Sequence, residues 1–331
     1  MEKSILNFPK QFAFRPKIEN AKNLRPAENF IVAGMGGSAL AAELLKTAHP
    51  ELNLIVWKSY DLPSVRRSLG AGNPSKTYHL KPNTLLVASS YSGSTKETLS
   101  AFESARKRKL NIAVLTVGGK LLALAKKYKV PYIQMPETGI QPRMSAGLNL
   151  VSLAQFIGLK DQPQIHSLAK SLKPEIWRAK GKALSENLWD QVPVIYSSAQ
   201  NFPIAMNWKI KFNENAKIPS FANFFPELNH NEMTGFDVKK TTANLSSNLH
   251  LIFLEDGADH PRIKRRFAVT KKLLTEKGIN LSEIPISGKN TWEKIFSSTL
   301  LADWTSFYLA KYYGVDPEQV PMVETLKKLI R

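Results

Sequence analysis

"TLLVASSYSGSTKETL" occupies residues 84–99 and changes character twice along its length. The apolar run Thr84–Ala88 is typical of a buried strand in a parallel sheet. Four serines and a threonine then surround Gly93, and a helical pattern begins near Thr95. A strand that passes through a polar loop into a helix is the repeating unit of parallel α/β sheets. The stretch therefore predicts an α/β fold.

The same alternation extends through the first half of the chain. In the helix that begins near Thr95, Leu99, Phe102 and Ala105 recur at spacings of three or four and predict one buried stripe. A loop-rich stretch separates two of the strands, from Asp61 to Pro82. The predicted strands are NFIVAG, LNLIVWK, TLLVAS, NIAVLTV and PYIQMP, and the predicted helices are SALAAELLKTA, Thr95–Lys109 and Leu121–Tyr128.

The second half repeats this order after a mainly helical bridge, Ser145–Asn187. Its predicted strands are VPVIYSS, LHLIFLE and INLSEIPI, and its predicted helices are Phe202–Phe212, Pro261–Glu276, Trp292–Tyr313 and Pro317–Ile330. Short apolar runs alternating with amphipathic helices predict two doubly wound units, each a parallel sheet flanked by helices. The predicted domains are 1–155, a bridge at 156–190, and 191–331.

The composition is typical of a globular enzyme. The 331 residues are 43% hydrophobic and 22% charged, which is enough apolar content for a full core. No apolar run reaches the roughly 18 residues of a membrane span, and the N-terminus lacks the apolar segment of a secretory signal. Cysteine is absent, which excludes disulfides, thiolate metal sites and a cysteine nucleophile. We therefore expect a cytoplasmic protein with no membrane partner.

The formal net charge is +19, which raises nucleic acid as a partner. The densest basic runs are RKRK (residues 106–109) and RIKRR (residues 262–266), and both lie within helical patterns. No aromatic residues interleave with them, as a single-strand binding platform requires. We favour solvated helix faces that attract small anions, with a nucleic-acid patch as the alternative.

Two loops at predicted strand ends have the composition of a phosphate site. The first is GMGGS, Gly34–Ser38, where glycines allow close backbone approach and a helix start presents amides to an anion. We expect Ser38 to cap that helix. In the second loop, Ser90, Ser92 and Thr95 supply hydroxyls, with Thr95 in the first helical turn. Both loops leave the carboxyl ends of parallel strands, where ligands bind in open α/β sheets.

Two other interpretations of these loops remain open. The serines and Thr95 could be ordinary turn and cap residues. Gly34, Gly36 and Ala39 also match G-x-G-x-x-A, which binds dinucleotides when an acidic residue ends the next strand. That strand ends in VWKSYD, with Lys58 in the expected place. The phosphate-binding motif G-x-x-x-x-G-K-[ST] does not occur in the sequence.

GMGGSALAAELL and SSYSGSTKET resemble the signature loops of sugar isomerase (SIS) domains. The second half adds NENAK (residues 213–217) and PELNHNEMTGF (residues 226–236). Together, from about Gly34 to Lys327, these segments resemble the bifunctional phosphoglucose/phosphomannose isomerases. The resemblance implies two SIS subdomains, a homodimer and interconversion of glucose 6-phosphate, and often mannose 6-phosphate, with fructose 6-phosphate. It implies no metal and no cofactor.

The resemblance also assigns roles to individual residues. Glu214 matches the catalytic base, and His230 matches the ring-opening histidine, which the neighbouring subunit contributes in the wider superfamily. Lys327 matches a lysine near the C-terminus, although Lys328 is equivalent on sequence alone, and Arg143 matches the arginine beside the reacting carbons. The substrate-binding matches are Gly37 and Ser38 in the first loop and Ser90, Ser92 and Thr95 in the second.

These residue types suit an isomerisation through a cis-enediol. A carboxylate such as Glu214 can take a C–H proton and return it to the next carbon, and an imidazole such as His230 can donate or accept near neutral pH. Arg143 keeps its charge and can stabilise the enediolate. Without the resemblance, a surface carboxylate and a structural histidine are the favoured interpretations of Glu214 and His230, and a loop arginine is as good an interpretation of Arg143 as a functional one. HNE (residues 230–232) has a spacing unsuited to a metal site on one helical face.

The chain departs from the family pattern before its last predicted helix. Val320 precedes Pro321 where the family has a threonine, which leaves activity on mannose 6-phosphate open. Ala42 and Glu43 replace a common Gly-Asp pair, a change that we expect to be harmless. The alternative function is a phosphosugar-binding SIS regulator without catalysis, and a nucleotide-dependent oxidoreductase is a third. The acid and base residues distinguish the enzyme, because a regulator does not need them.

Overall fold

The computed structural model describes residues 1–62, 83–237 and 245–330. The chain forms two compact units: the N-terminal unit, Lys10–Ser167, and the C-terminal unit, which combines Met1–Pro9 with Leu168–Arg331. The loop predicted from Asp61 to Pro82 lies outside the described residues after Leu62. The three-part division at 155 and 190 stays a prediction, since a compact unit is not by itself an independently folding domain.

The elements are as follows. The strands are β1 Asn29–Ala33, β2 Leu54–Trp57, β3 Thr84–Ser89, β4 Asn111–Thr116, β5 Tyr132–Gln134, β6 Val192–Ser198, β7 Phe221–Phe225, β8 Leu249–Asp256 and β9 Asn280–Ile286. The helices are α1 Glu2–Leu6, α2 Gly37–Ala48, α3 Lys96–Lys107, α4 Gly119–Lys127, α5 Ala146–Ile157, α6 Gln162–Ser171, α7 Arg178–Asn187, α8 Phe202–Lys211, α9 Pro261–Glu276, α10 Thr291–Tyr312 and α11 Pro321–Leu329.

The sheet of the N-terminal unit has the order β2-β1-β3-β4-β5, and all its pairings are parallel. On one face Ile31, Leu86 and Val114 pack with Phe102 of α3 and Leu121 of α4. The alternate strand residues are buried as well, and α2 and α5 contact strands of the same sheet. Both faces are therefore covered, as a parallel sheet requires.

The sheet of the C-terminal unit has the order β7-β6-β8-β9 and is also parallel throughout. One face packs an aromatic cluster in which Phe253 of β8 lies 5.5 Å from Phe267 of α9, measured between ring centroids. α8 and α10 contact strands of the sheet and pack on each other. Parallel sheets flanked by helices confirm the predicted α/β class.

α10 is the central helix of the C-terminal unit. It is buried around most of its circumference and contacts α1, α7 and α8. A helix of this composition is stable in water only when other elements surround it. Among the described residues, no helix combines the length and apolar character that crossing a membrane requires.

Three elements differ from the sequence predictions. β7 was not predicted, because it is a short edge strand whose Phe221 remains 57% exposed. α1 was also missed, since five residues show too little periodicity to be recognised. α11 begins at Pro321 rather than Pro317, because proline is favoured in the first helical turn and the preceding backbone is extended or turned.

His250 in β8 yields a prediction about pH. It is buried, its Nε2 lies 2.8 Å from the hydroxyl of Ser282 in β9, and burial lowers the pKa of its imidazole below 6.5. Its contribution to stability is complete above the unfolded-state pKa and is lost as pH falls through the lower folded-state pKa. We expect His250→Gln to lose less unfolding free energy than the parent protein between about pH 7.5 and about pH 5.5.

Urea unfolding at the two pH values measures this difference. Glutamine can still bond to Ser282 but carries no titrating group, so it isolates the imidazole. Parallel losses of stability in the parent and the variant would show that His250 does not contribute to the acid sensitivity.

Candidate active site

Three segments of the N-terminal unit meet at the carboxyl edge of its sheet. They are the loop after β1, the loop after β3 and the turn Pro142–Met144. A Cβ on Gly34 would stand 2.8 Å from the carbonyl oxygen of Ser89, and one on Gly37 would stand 2.3 Å from that of Pro142. Glycine is needed at both places because backbone of another segment occupies the space of a side chain. The loop after β1 therefore lies against both the end of β3 and the turn that carries Arg143.

A hydrogen bond links the first two of these segments. The Ser38 hydroxyl accepts from the backbone N–H of Tyr91 at 2.9 Å, and Ser38 is buried. Our expectation that Ser38 caps α2 was wrong: Gly36 is the N-cap and makes no side-chain capping bond. The hydroxyl instead satisfies a buried amide of the neighbouring loop, a bond that the sequence gives no means to anticipate.

The loop after β3 contains the three candidate hydroxyls, and two of them are bonded to each other. Ser90 Oγ lies 2.9 Å from Thr95 Oγ1 and also accepts from the Gly93 amide at 3.1 Å. Ser90 is buried, Thr95 is half-buried and Ser92 is exposed. The hydroxyls thus range from a fixed buried position to the surface, which suits a ligand that enters from solvent.

Thr95 lies one residue earlier than predicted. It is the N-cap of α3 rather than part of its first turn, and its side chain makes no capping bond. The interpretation of Thr95 as a simple capping side chain is therefore wrong. No side-chain capping bond is made to the backbone amides at the start of α3, and these amides and the helix dipole favour an anion.

Arg143 lies in the turn against Gly37 and is only 3% exposed. A guanidinium is rarely buried in this way, because removing a charge from water costs several kcal/mol unless partners compensate. A buried arginine beside the glycine-containing loop after β1 gives this edge of the sheet a fixed positive charge. The sequence suggested Arg143 only through the resemblance.

Glu214 lies in the C-terminal unit, on a π turn, Phe212–Ala216, that continues directly from α8. Its side chain is half-buried. Lys217, which follows the turn, has the left-handed φ of 60°, and its ammonium donates to the Glu214 carbonyl oxygen at 2.5 Å. π turns are rare in proteins and occur frequently at functional sites. The sequence carries no signal for this geometry.

His230 ends a short 3-10 turn, Glu227–His230, and is exposed. The following turn, Glu232–Phe236, is held to the sheet by Glu232, which accepts from Tyr196 Oη at 2.5 Å and from the side-chain amide of Asn223. Burial, and then this hydrogen bond, raise the pKa of Tyr196, so its phenol remains a donor. The sequence analysis considered Glu232 only as a possible metal ligand and gave no sign of its contacts with Tyr196 and Asn223.

Lys327 lies on α11, where its ammonium pairs with Glu324 at 2.7 Å. The two side chains are 60% and 55% exposed, so this local pair contributes little. Lys328 lies in the same last turn and is also exposed. The choice between the two lysines stays a prediction. Val320 is the N-cap of α11 and makes no capping bond.

Residues of the basic runs and of the possible ribose site make ion pairs, hydrogen bonds and ring contacts with neighbouring side chains. Arg106 pairs with Glu103 at 2.8 Å and lies over the ring of Tyr128, and Arg266 donates to the side chain of Asn229. Lys58, which stands where a dinucleotide site expects a carboxylate, pairs with Glu43 at 2.9 Å. These contacts favour solvated helix faces over a nucleic-acid surface, and they give no support to a ribose site.

The close approach of Gly37 to the Pro142 turn predicts a large effect of a single methyl group. Gly37→Ala places its Cβ against backbone, so we expect a loss of about 1–3 kcal/mol in unfolding free energy, measured by urea denaturation. Gly158→Asn is the control, because nothing lies within 4 Å of its Cβ position and asparagine tolerates its left-handed backbone. Equal losses in both variants would contradict the packing argument.

The chain is similar to proteins of a known family. Residues 178–330 match the family model described as the bacterial phospho-glucose isomerase C-terminal SIS domain. The chain is similar to the solved structure of a hypothetical protein from Thermus thermophilus. That comparison has a TM-score of 0.72 and 19% identity, and it covers 99% of this chain and 90% of that one. The predicted SIS-type fold is confirmed.

Two relatives that share one name match the chain over nearly the full length of both proteins. A bifunctional phosphoglucose/phosphomannose isomerase of Caldicellulosiruptor bescii is 32% identical, and the match covers 99% of this chain and 98% of the relative. One from Aquifex aeolicus is 31% identical with the same coverage, 99% and 98%. On this evidence, the chain belongs to the family of bifunctional phosphoglucose/phosphomannose isomerases.

Proposed function

We propose that this protein interconverts glucose 6-phosphate, and mannose 6-phosphate, with fructose 6-phosphate through a cis-enediol intermediate. The single observation that carries the proposal is the hydroxyl-lined loop of Ser90, Ser92 and Thr95, joined to Gly37 and Ser38 within a chain that matches relatives of this name end to end. The proposal includes no metal and no organic cofactor, because proton transfer between adjacent carbons needs neither.

The phosphate of the substrate is assigned to the N-terminal unit. A phosphate dianion accepts hydrogen bonds well from hydroxyls and from amides at a helix start, and α3 begins with no side-chain cap. Ser92 is exposed and Thr95 is half-buried, so both can turn toward a ligand. Gly37 and Ser38 hold the loop after β1 close to this position.

The reaction needs three chemical tasks after binding. The sugar ring opens when its hydroxyl loses a proton and its ring oxygen gains one, a task we assign to His230 with Lys327. Glu214 then removes the proton from C2 of the aldose and delivers it to C1. The hydroxyl proton on O2 leaves while O1 gains one, so that the number of protons is unchanged. A single carboxylate can make both transfers because it stays on one face of the planar enediol.

Negative charge develops on O1 and O2 in the enediolate. We assign its stabilisation to Arg143, whose guanidinium is permanently charged and can contact both oxygens. Its burial supports this role, since a fixed charge in a water-poor environment acts more strongly than one in solvent. Lysine would not replace it, because an ammonium lacks the planar fork of donors.

We further propose a cytoplasmic homodimer in which a second copy can supply His230. The exposed position of His230 at the end of its 3-10 turn supports a contribution from the second copy. The hydrogen bond from Tyr196 to Glu232, which holds the following turn, supports it as well. The alternative, a phosphosugar-binding regulator without catalysis, explains the hydroxyl-lined loop equally well. It gives no reason for a glutamate on a π turn, and we therefore favour the enzyme.

The first test is turnover of fructose 6-phosphate in an assay coupled to glucose 6-phosphate oxidation. We expect the parent protein to be active and Glu214→Gln to lose about 10²–10⁴-fold in kcat, since the amide cannot accept a proton. KM should change little, because Glu214 is not assigned to phosphate binding. Glu276→Gln, an exposed glutamate at the end of α9, is the control and should keep full activity.

An inactive parent protein that is nevertheless stabilised against heat by glucose 6-phosphate would instead support the regulator. Full activity in Glu214→Gln would remove the glutamate from the mechanism.

Val320 yields a prediction about substrate choice. Val320→Thr restores the family hydroxyl before Pro321, and threonine is also a better N-cap for α11 by roughly 1 kcal/mol. Capping affects both substrates alike, so the ratio of kcat/KM on mannose 6-phosphate to that on glucose 6-phosphate isolates the hydroxyl. We expect this ratio to rise by up to about tenfold, the value of one hydrogen bond. An unchanged ratio would show that residue 320 does not select the epimer.

A further inference from the structure

A row of buried polar contacts joins α8 and the π turn to α10 within the C-terminal unit. We call these contacts the polar seam. Each contact joins one side chain from α8 or the π turn to one from α10. They are Asn207 Nδ2 to Thr299 Oγ1 at 2.7 Å, Trp208 Nε1 to Ser298 Oγ at 2.9 Å, Lys211 Nζ to Asp303 Oδ1 at 2.8 Å and Asn215 Nδ2 to Ser306 Oγ at 2.9 Å.

Stability alone does not account for the ion pair in this seam. Lys211 is 1% exposed and Asp303 is 0% exposed. Burying two charges costs several kcal/mol per ion, and apolar residues of similar volume often serve stability as well or better. What a buried, directional pair adds is a unique arrangement of the two helices, because any shift leaves a charge without its partner.

The seam lies directly beside Glu214. Lys211 is the last residue of α8, and Asn215 is the next residue after Glu214 in the π turn. Asn207, Lys211 and Asn215 recur every four residues and all face α10. Successive side chains on a helix point in different directions, so Glu214 leaves the seam face and stays half-buried.

A π turn needs support from outside itself. Such turns are rare, and they appear mostly as single-turn insertions within α-helices. Here Lys211 is anchored just before the turn and Asn215 within it, both to α10. With the backbone held on either side, the direction of the intervening Glu214 side chain is defined.

We propose that the lower half of the seam, Lys211–Asp303 and Asn215–Ser306, positions Glu214 for proton transfer. The inference rests on the proposed function, since it assigns a role to residues that support the catalytic base. These four residues are positioning residues: they act through the π turn and make no contact with substrate. The upper half of the seam, which includes Trp208 and Ser298, lies one to two helical turns further from Glu214 and holds the helices together.

Two serines of α10 form a matched pair for the test. Ser298 and Ser306 lie on the same helix, both are buried, and each accepts a hydrogen bond at 2.9 Å from the partner side chain. Ser298→Ala and Ser306→Ala each remove one buried hydroxyl that accepts a side-chain hydrogen bond from the other helix. Only the bond between Asn215 and Ser306 involves the π turn. The two variants therefore separate general destabilisation from loss of positioning of Glu214.

We expect Ser306→Ala to lower kcat on fructose 6-phosphate about tenfold or more with KM within about twofold. Ser298→Ala should keep kcat within about twofold, although both variants should lose similar amounts of urea resistance. A loss of kcat confined to Ser306→Ala supports the proposal. Equal kcat values in the two variants, whether both high or both low, would overturn it.

A second variant tests the ion pair without leaving a charge unpaired. Lys211→Met combined with Asp303→Leu replaces the pair by apolar side chains, which a buried site often tolerates in stability. We expect a folded protein with kcat lowered about tenfold or more and KM little changed. Parent-like kcat in this variant overturns the positioning role. An inactive parent protein is a different result, because it refutes the proposed function and the inference with it.

Discussion

The approach of backbone to backbone at the carboxyl edge of the first sheet is the constraint on which the candidate site depends. Gly37 has no side chain where the carbonyl of Pro142 lies, and the Ser38 hydroxyl satisfies the buried amide of Tyr91. Parallel strands end at one edge, so the loops that follow them must share limited space. Here the loops pack closely against each other. This packing fixes the backbone that carries the hydroxyls of the second loop.

The two sheets show the same topology with different chemistry at the same edge. The order β7-β6-β8-β9 repeats β2-β1-β3-β4, so β8 takes the place of β3. The loop after β3 carries hydroxyls, whereas β8 ends at Asp256, which pairs with Lys294 at 2.7 Å, and the following loop carries Asp259. Burial raises the pKa of Asp259. The neutral donors of the loop after β3 and the start of α3 suit a dianion, which is why we assign the phosphate to the N-terminal unit.

The C-terminal unit is instead organised to present single side chains. Glu214 is held on a π turn between contacts to α10, and the turn after His230 is held to the sheet by Glu232. In both cases a buried or half-buried polar bond fixes the backbone near a residue that reaches toward solvent. In the reaction that we propose, preorganisation of this kind lowers the entropy lost when the reacting groups are brought together.

The fold class could be predicted from the order of residues alone, because strand and helix periods are local properties of the chain. Short apolar runs and stripes of period 3.6 predicted the parallel sheets. The composition of the loops after β1 and β3 was the basis for proposing a phosphate site there. The edge strand β7 was missed, since its exposed Phe221 gives a weak pattern. Family resemblance, and not spacing, supplied Arg143, Glu214, His230 and Lys327.

How those residues are held depends on contacts between distant parts of the chain. The bond between Ser38 and Tyr91 joins positions 53 residues apart, and that between Asn215 and Ser306 joins positions 91 apart. Neither follows from local propensity, because each depends on which surfaces meet after folding. The π turn at Glu214 arises in the same way: nothing in NENAK distinguishes it from an α-helix, and packing against α10 supports the insertion.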